Sequence, residues 1–410
     1  MNKRNFHIKI IAFNGIVPFC FQTTLFTYII SPGRNPWNRD RTDTKIRIAI
    51  PATNPPMVHP RMVSVTEILK NLLIAQNPES LGRDRPIPPA QIAIAHRIGD
   101  TPLVASEGLY STDIEVEVNE KLIHGGYDLI LSVGQVVPHE VVGMANYSKN
   151  IFVGVGGRQM INKSHMLSAI CGMEKALGVA DSPARKVFDY AQQHFLDGKV
   201  PLVYIQTVTT LKDEQVCLNG LYVGSSRKPF EYGVKLASKL NICHVERRAK
   251  KLVTYLDPYE LKTTWVGNKG VYRTRMAVAD GGDLIILAPG VKAFGENEEM
   301  DNMTRTYGYK GRDYVLDLFN KGVFENRIMA AAHLIQGSSD GRFTITYCTR
   351  PENLSKEEIQ NVGYEWMDYE EAAALYNPDT LKEGWNTLEN GEEIYFVKTP
   401  ALGLWKVDEA

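Results

Sequence analysis

Three histidines and a lysine stand in a spacing that suggests chemistry: His96 in Ala95-His96-Arg97, His139 after Pro138, Lys149 between Ser148 and Asn150, and His165 after Lys163-Ser164. An imidazole titrating near ~6.5 takes and returns protons at neutral pH, and it is also a common ligand of transition metals. A primary amine adds the capacity for a covalent link. Taken singly, each histidine reads as readily as a hydrogen-bonded structural residue, and Lys149 alone reads as a solvated surface lysine. Their joint spacing is what points to a buried metal and acid/base site.

The elements that must carry these residues alternate. Short β-branched runs at 46–50, 91–95, 129–133 and 151–155 are expected to be strands, and 63–75 and 115–122 helices. Strands at 202–208 and 216–223 and a helix at 230–240 extend the first unit. A second unit follows with a helix at 272–279, a strand at 283–288, a helix at 327–335 and a strand at 343–347. This pattern gives an α/β protein of two domains, with parallel or mixed sheets flanked by helices and the active site in the interdomain cleft. In open α/β sheets ligands bind beyond the carboxyl ends of the strands, where Pro51, His96 and Gly134 fall. The expected divisions are an N-terminal extension at 1–44, a catalytic and cofactor-binding domain at 45–243, a second α/β domain at 244–390, and a C-terminal strand within 391–410 returning to the first domain.

Composition narrows the class. The chain has 410 residues, 44% hydrophobic and 23% charged, with a formal net charge of -1. That balance describes a globular protein with an ample core and gives no basic surface for nucleic acid. The cysteines, Cys20, Cys171, Cys217, Cys243 and Cys348, are scattered and never spaced as CxxC, so neither a disulfide framework nor a zinc knuckle is implied. A reducing, cytoplasmic location is expected. Residues 8–30 are mostly apolar after Lys3 and Arg4, but Asn14, Pro18 and Gln22 interrupt them, which leaves an extension, a signal and an anchor as open readings. No membrane association is expected. The glycines ending 151–157 lack the full G-x-G-x-x-G spacing, so no dissociable dinucleotide is expected there.

On these motifs the chain resembles the nickel-dependent lactate racemase family of 2-hydroxy-acid racemases and epimerases. The ten-residue step from His139 to Lys149 and the sixteen-residue step to His165 are similar to that family's pattern, over a resemblance running from about residue 45 to the C-terminus. The resemblance implies a nickel-pincer nucleotide, built on a modified nicotinic-acid mononucleotide and tethered covalently through Lys149. It assigns His165 as the nickel ligand and His96 and His139 as paired acid/base residues. Lys269, in Trp265-Val266-Gly267-Asn268-Lys269-Gly270, looks like the lysine that binds the substrate carboxylate; on its own it reads equally as part of a charged face with Arg273 and Arg275. Trp265 and Asn54 enter as substrate-binding candidates by their place beside family motifs. The remaining histidines, His333 among them, receive no role. Implied partners are a small sugar or hydroxy acid and the cofactor-synthesis enzymes.

The implied chemistry accounts for the residue types. The α-hydrogen of a hydroxy acid is a poor acid, so hydride transfer to and from the cofactor's pyridinium avoids a dianionic enolate, and two imidazoles then serve the hydroxyl proton on the two faces. Two departures matter. Where the family has an acid and an arginine in the turn after the first strand, this chain reads Pro51-Ala52-Thr53-Asn54-Pro55, and its Gly-rich stretch becomes Gly143-Met144-Ala145-Asn146-Tyr147-Ser148. With the polar run from Gln336 to Arg342, which a polyhydroxylated ligand would suit and a capped helix end would explain equally, these favour the branch that interconverts D-mannonate and D-gluconate at C2. Alternatives are racemisation of lactate or another short 2-hydroxy acid, a zinc hydrolase using the three histidines, and a sugar-acid binding protein without turnover.

Overall fold

A computed structural model describes the backbone of residues 8–12 and 96–98, and residues 99–212 and 215–408 in full. The expected strands at 46–50 and 91–95, the helix at 63–75 and Asn54 lie outside the described residues.

In chain order the strands are β1 Ile8–Ala12, β2 His96–Ile98, β3 Ile114–Val116, β4 Leu129–Gln135, β5 Pro138–His139, β6 Gly143–Met144, β7 Leu202–Lys212 and β8 Gln215–Gly224. The second half adds β9 Ile242–His244, β10 Ala249–Tyr255, β11 Val278–Leu287, β12 Thr344–Thr349, β13 Glu365–Asp368, β14 Gly384–Thr387, β15 Glu393–Val397 and β16 Leu404–Lys406. One sheet runs β1-β4-β7-β8, parallel except for the β7/β8 hairpin. The other runs β13-β12-β11-β10-β15-β14, parallel except for its β14 edge. Helices flank both, so the α/β class with mixed sheets holds.

The second sheet is buried on both faces. Leu284 and Ile286 of β11 enter one core with Leu252 and Tyr347, while Ile285 and Leu287 enter another with Val253 and Phe396. A strand covered on both faces reads as a continuous apolar run, which is why 283–288 is recognisable. The helix Arg158–Cys171 joins the halves: Met160, Leu167 and Cys171 belong to the first core, while Met166, Ala169 and Ile170 belong to the second, against the helix Ile328–Gly337.

Three expected elements are corrected. Residues 151–155 are not a strand: Ser148–Phe152 is a helix, and Ile151 and Phe152 sit fully buried in the first core, so packing overrides their β-branched and aromatic preference. Residues 115–122 are not one helix either. Ile114, Val116 and Val118 are all buried in a period of two, giving β3, and only Glu120–His124 is helical. The helix expected at 272–279 is Lys269–Thr274, and Val278 already belongs to β11. Ile8–Ala12, within the segment read as an extension, pairs with β4. Of 391–410, β15 stays in the second sheet, while β16 pairs with β9 just after the helix Lys228–Leu240.

Candidate active site

The site begins where β4 ends. The β5/β6 hairpin pairs Pro138 with Met144 and His139 with Gly143. Gly143 has φ +76°, and a Cβ there would strike the Val179 carbonyl, so only glycine closes this turn. The hairpin presents His139 and Glu140. Beyond it the chain turns into the helix Ser148–Phe152, which carries Lys149, and then into Arg158–Cys171, which carries His165. The latter helix is fixed at its start by Glu117, whose carboxylate accepts from the Gln159 amide at 3.2 Å.

The other half contributes the helix Lys269–Thr274, with Lys269 and Arg273 one turn apart. The Arg273 guanidinium, 3% exposed, donates to the Pro138 carbonyl and at 3.2 Å to Oε2 of Glu140, gripping the hairpin on both sides of His139. Arg273 and Arg275 are therefore buried ion-paired groups and do not form a charged face.

Electrostatics tie these residues together. Burial pushes the His139 imidazole well below its ordinary value; Glu140 opposes this, and Lys149, Arg273 and His165 reinforce it. His165 is likewise lowered by burial, against its hydrogen bond to Ile161 and with the charge of Lys149 adding to the shift. Burial lowers Lys149, Glu140 opposes, and Arg185 and Arg273 add to the lowering. Lys269 falls to about 8 through burial, opposed by Glu140 and reinforced by Arg273 and Lys149. Burial raises the Glu140 carboxyl, but His139 and Arg273 outweigh it and hold it far below the carboxylate range. The charge of Glu140 thus acts on His139, Lys149, His165 and Lys269 alike, and that of Arg273 on His139, Lys149 and Lys269.

Ring orientations define what each imidazole offers. The Ile161 carbonyl lies 2.7 Å from Nδ1 of His165, which places the ring proton there and frees Nε2 as a metal donor. At His139 the Val141 amide donates to Nδ1 at 3.1 Å, so the neutral ring carries its proton on Nε2, 3.8 Å from Glu140 Oε1. In this tautomer the free lone pair of His139 is at Nδ1, engaged by the Val141 amide, so taking a proton through Nε2 requires that contact to open and the ring proton to sit on Nδ1 instead.

Trp265 stacks on His333 with ring centroids 4.0 Å apart. His333 is held on both nitrogens, by Tyr272 at 3.0 Å and Tyr309 at 2.8 Å, and burial lowers it to about 3, with Glu140 opposing. Thr264 donates its hydroxyl proton to the Phe294 carbonyl, so Tyr309 donates to Thr264, Nε2 of His333 to Tyr309, and Tyr272 to Nδ1 of His333. His333 is a neutral structural histidine that fixes the face of Trp265.

His96 opens β2, paired with Val116 of β3, and its side chain lies outside the described residues. The polar run 336–342 faces elsewhere. Its Gln336 and Ser338 carbonyls accept from Arg275, Arg342 pairs with Glu174 and Asp280, and Asp340 receives the Arg312 amide. That run is a helix end locked against the first half, which removes it as an argument about substrate. Sequence reasoning missed Glu140 and misread Arg273. Glu140 had a signal, an acid directly after the Pro-His pair; the burial of Arg273 had none.

Among the described residues no three His, Cys, Asp or Glu side chains converge as an all-protein metal site requires. A pincer-bound nickel asks for one protein donor and one tethering amine. His165 Nε2 suits the first, and the half-buried Lys149, whose ammonium has no hydrogen-bond or ion-pair partner among the described residues, suits the second. The residues present fit the group.

Residues 90–178 match the model of the lactate racemase N-terminal domain. No curated protein matches the chain by sequence. Among solved structures, a Thermotoga maritima protein determined by a structural genomics consortium superposes with a TM-score of 0.67 at 22% identity, covering 84% of this chain and 82% of that one. The lactate racemase apoprotein from Thermoanaerobacterium thermosaccharolyticum superposes with a TM-score of 0.57 at 18% identity, covering 78% of this chain and 69% of that one. At such identities the likeness establishes the fold.

Proposed function

We propose that this protein is a 2-hydroxy-acid racemase or epimerase that works with a nickel-pincer nucleotide tethered to Lys149. The observation that carries the reading is that His139, Lys149, His165 and Lys269 all lie within the field of Glu140, which Arg273 grips, within and beside a segment that matches the lactate racemase N-terminal domain. When bound, the cofactor supplies a hydride acceptor and donor for C2 of the substrate. Lys149 would hold it by its amine, and His165 Nε2 would ligate its nickel.

The chain's own residues do the rest. The Lys269 ammonium, charged below about pH 8, binds the substrate carboxylate and fixes its orientation. With the Val141 contact opened and the ring proton on Nδ1, His139 exchanges the C2 hydroxyl proton on one face through Nε2, and Glu140 beside it stabilises the ring when it gains charge. His96 serves the opposite face. Trp265, held flat against His333, walls the site and excludes water from the reacting carbon. The site lies in the cleft between the two domains.

For the substrate we propose an aldonate, D-mannonate and D-gluconate interconverting at C2, a reading that rests on the altered turn at 51–55. Lactate is the competing substrate, since the run 336–342 is engaged elsewhere and does not select against a short acid. Protein produced together with the cofactor-synthesis enzymes should convert either aldonate into the other and leave lactate nearly unchanged. Efficient lactate racemisation would overturn the substrate assignment. Absence of turnover on every 2-hydroxy acid in a chain bearing the Lys149 adduct would leave a binding protein.

A further inference from the structure

The loop entering the tethering helix has an unusual backbone. Asn146 has φ +74°, and Tyr147 has φ +56° with ψ -135°. These are consecutive non-glycine residues with positive φ, and the second lies in a region that glycine alone adopts freely. The next two residues are Ser148 and Lys149, so this backbone sets where the Lys149 amine points.

A single buried side chain holds it there. Arg185, on the helix Pro183–Ala191, is fully buried, and its Nη2 donates to the Met144 carbonyl at 2.6 Å and the Asn146 carbonyl at 3.0 Å. Its Nη1 donates to Ser148 Oγ at 2.7 Å, and that hydroxyl donates to Asp189 at 2.6 Å. Asp189 is in turn paired with Arg227. The Arg185 guanidinium lies 4.5 Å over the Phe230 ring, and Phe230 stacks on Tyr147 with centroids 5.4 Å apart. From the far side the Asn146 amide donates to the Gly134 carbonyl, and Asn150 bonds to Asn146. Each bond fixes a group of the strained turn, and the planar fork of arginine is the geometry that reaches two carbonyls and a hydroxyl at once.

We propose that Arg185 is a positioning residue whose fork pins the Met144–Ser148 turn in its strained conformation and thereby aims the Lys149 amine into the site. Asn146 and Tyr147 sit in the stretch that departs from the family's Gly-rich run, so the strain belongs to this chain and Arg185 is the group that opposes it. The proposal deepens the assignment of Lys149 as the tether. Its test reads the amine directly, so it stands or fails apart from the cofactor.

In the cofactor-free protein, Lys149 is labelled with an amine-reactive acylating reagent across pH and its extent of labelling is read by peptide mass, with the other lysines as internal controls. Wild-type Lys149 should label with a midpoint below that of ordinary lysines, because it is held half-buried among Arg185 and Arg273 with Glu140 opposing. Arg185→Lys keeps the charge and loses the fork. Its Lys149 midpoint should rise by about one pH unit towards ordinary lysines as the amine reaches water, with the controls unmoved and the far-UV spectrum of the folded protein retained. Ser148→Ala, which removes one arm of the fork and disturbs the core least, should shift the midpoint in the same direction by less, and it carries the test if Arg185→Lys fails to fold. An unchanged Lys149 midpoint in folded Arg185→Lys or, failing that, in Ser148→Ala would overturn the proposal.

Discussion

Glu140 shows how one side chain sets the state of several others. It is a carboxylate only 14% exposed, set between His139 and Arg273, and its charge opposes the lowering that burial imposes on Lys149 and Lys269. The Lys269 value of about 8 has a direct kinetic consequence. Below it the ammonium is present to bind a carboxylate, and above it the charge is lost, so KM should rise as pH passes about 8 while kcat changes less. Lys269→Arg, whose charge persists, should move that limb to higher pH. A KM flat from pH 7 to 10 in the wild type would remove Lys269 from carboxylate binding. His333 makes a stability prediction of definite sign. Folded, it takes a proton only near about 3, whereas unfolded it does so near ~6.5, so between those values the unfolded chain binds more protons and stability falls as pH drops. The contribution is at most ~1.4 kcal/mol per pH unit. His333→Gln keeps hydrogen-bonding groups without titrating and should flatten the fall in melting temperature between pH 6 and 4. At this scale the sequence exposes the residue types and spacing of His139, Lys149 and His165. It hides the partners, because Arg185 and Arg273 become legible only once distant elements pack over them.

Among the elements, the helix Lys269–Thr274 delivers the proposed carboxylate ligand and a clamp from one turn. The buried Arg273 reaches across to the β5/β6 hairpin, and removing it leaves the half-buried Glu140 without its guanidinium and the Pro138 carbonyl without that donor. Breaking a buried pair in this way typically costs ~3–5 kcal/mol. Arg273→Ala should lower the melting temperature and reduce activity together, whereas Glu140→Gln, which keeps shape and an acceptor for Arg273, should reduce activity with a smaller loss of stability. Equal thermal stability of Arg273→Ala and wild type would contradict the clamp. Element boundaries were legible where one rule dominated. β7, β8, β11 and β12 are long apolar or alternating runs, and the helix Lys228–Leu240 has a consistent apolar stripe. Residues 114–118 carry a period of two, which makes the start of the expected helix at 115–122 a strand. Residues 151–155 carried strand propensity that their burial in the first core overrides.

At the scale of the whole molecule, two α/β halves share one helix, Arg158–Cys171, and meet again where Arg275, Arg312 and Arg342 of the second half grip Glu174 and Ile170 of the first. The α/β class follows from alternating strand and helix patterns; the way the halves share cores does not, since it depends on side chains more than a hundred positions apart. The arrangement explains how a lysine and an arginine of one half come to face histidines of the other. His139→Ala should lower kcat/KM by about 10² to 10⁴-fold, with less than a threefold loss excluding it from proton exchange. The central claim is that the C2 hydrogen moves as hydride and never meets solvent. The direct measurement is to incubate cofactor-loaded protein with C2-deuterated D-mannonate, D-gluconate and lactate in ordinary water and to determine the label in the inverted product. Retention of deuterium at C2 is the predicted result; an inverted product that has lost its label to water would contradict the account.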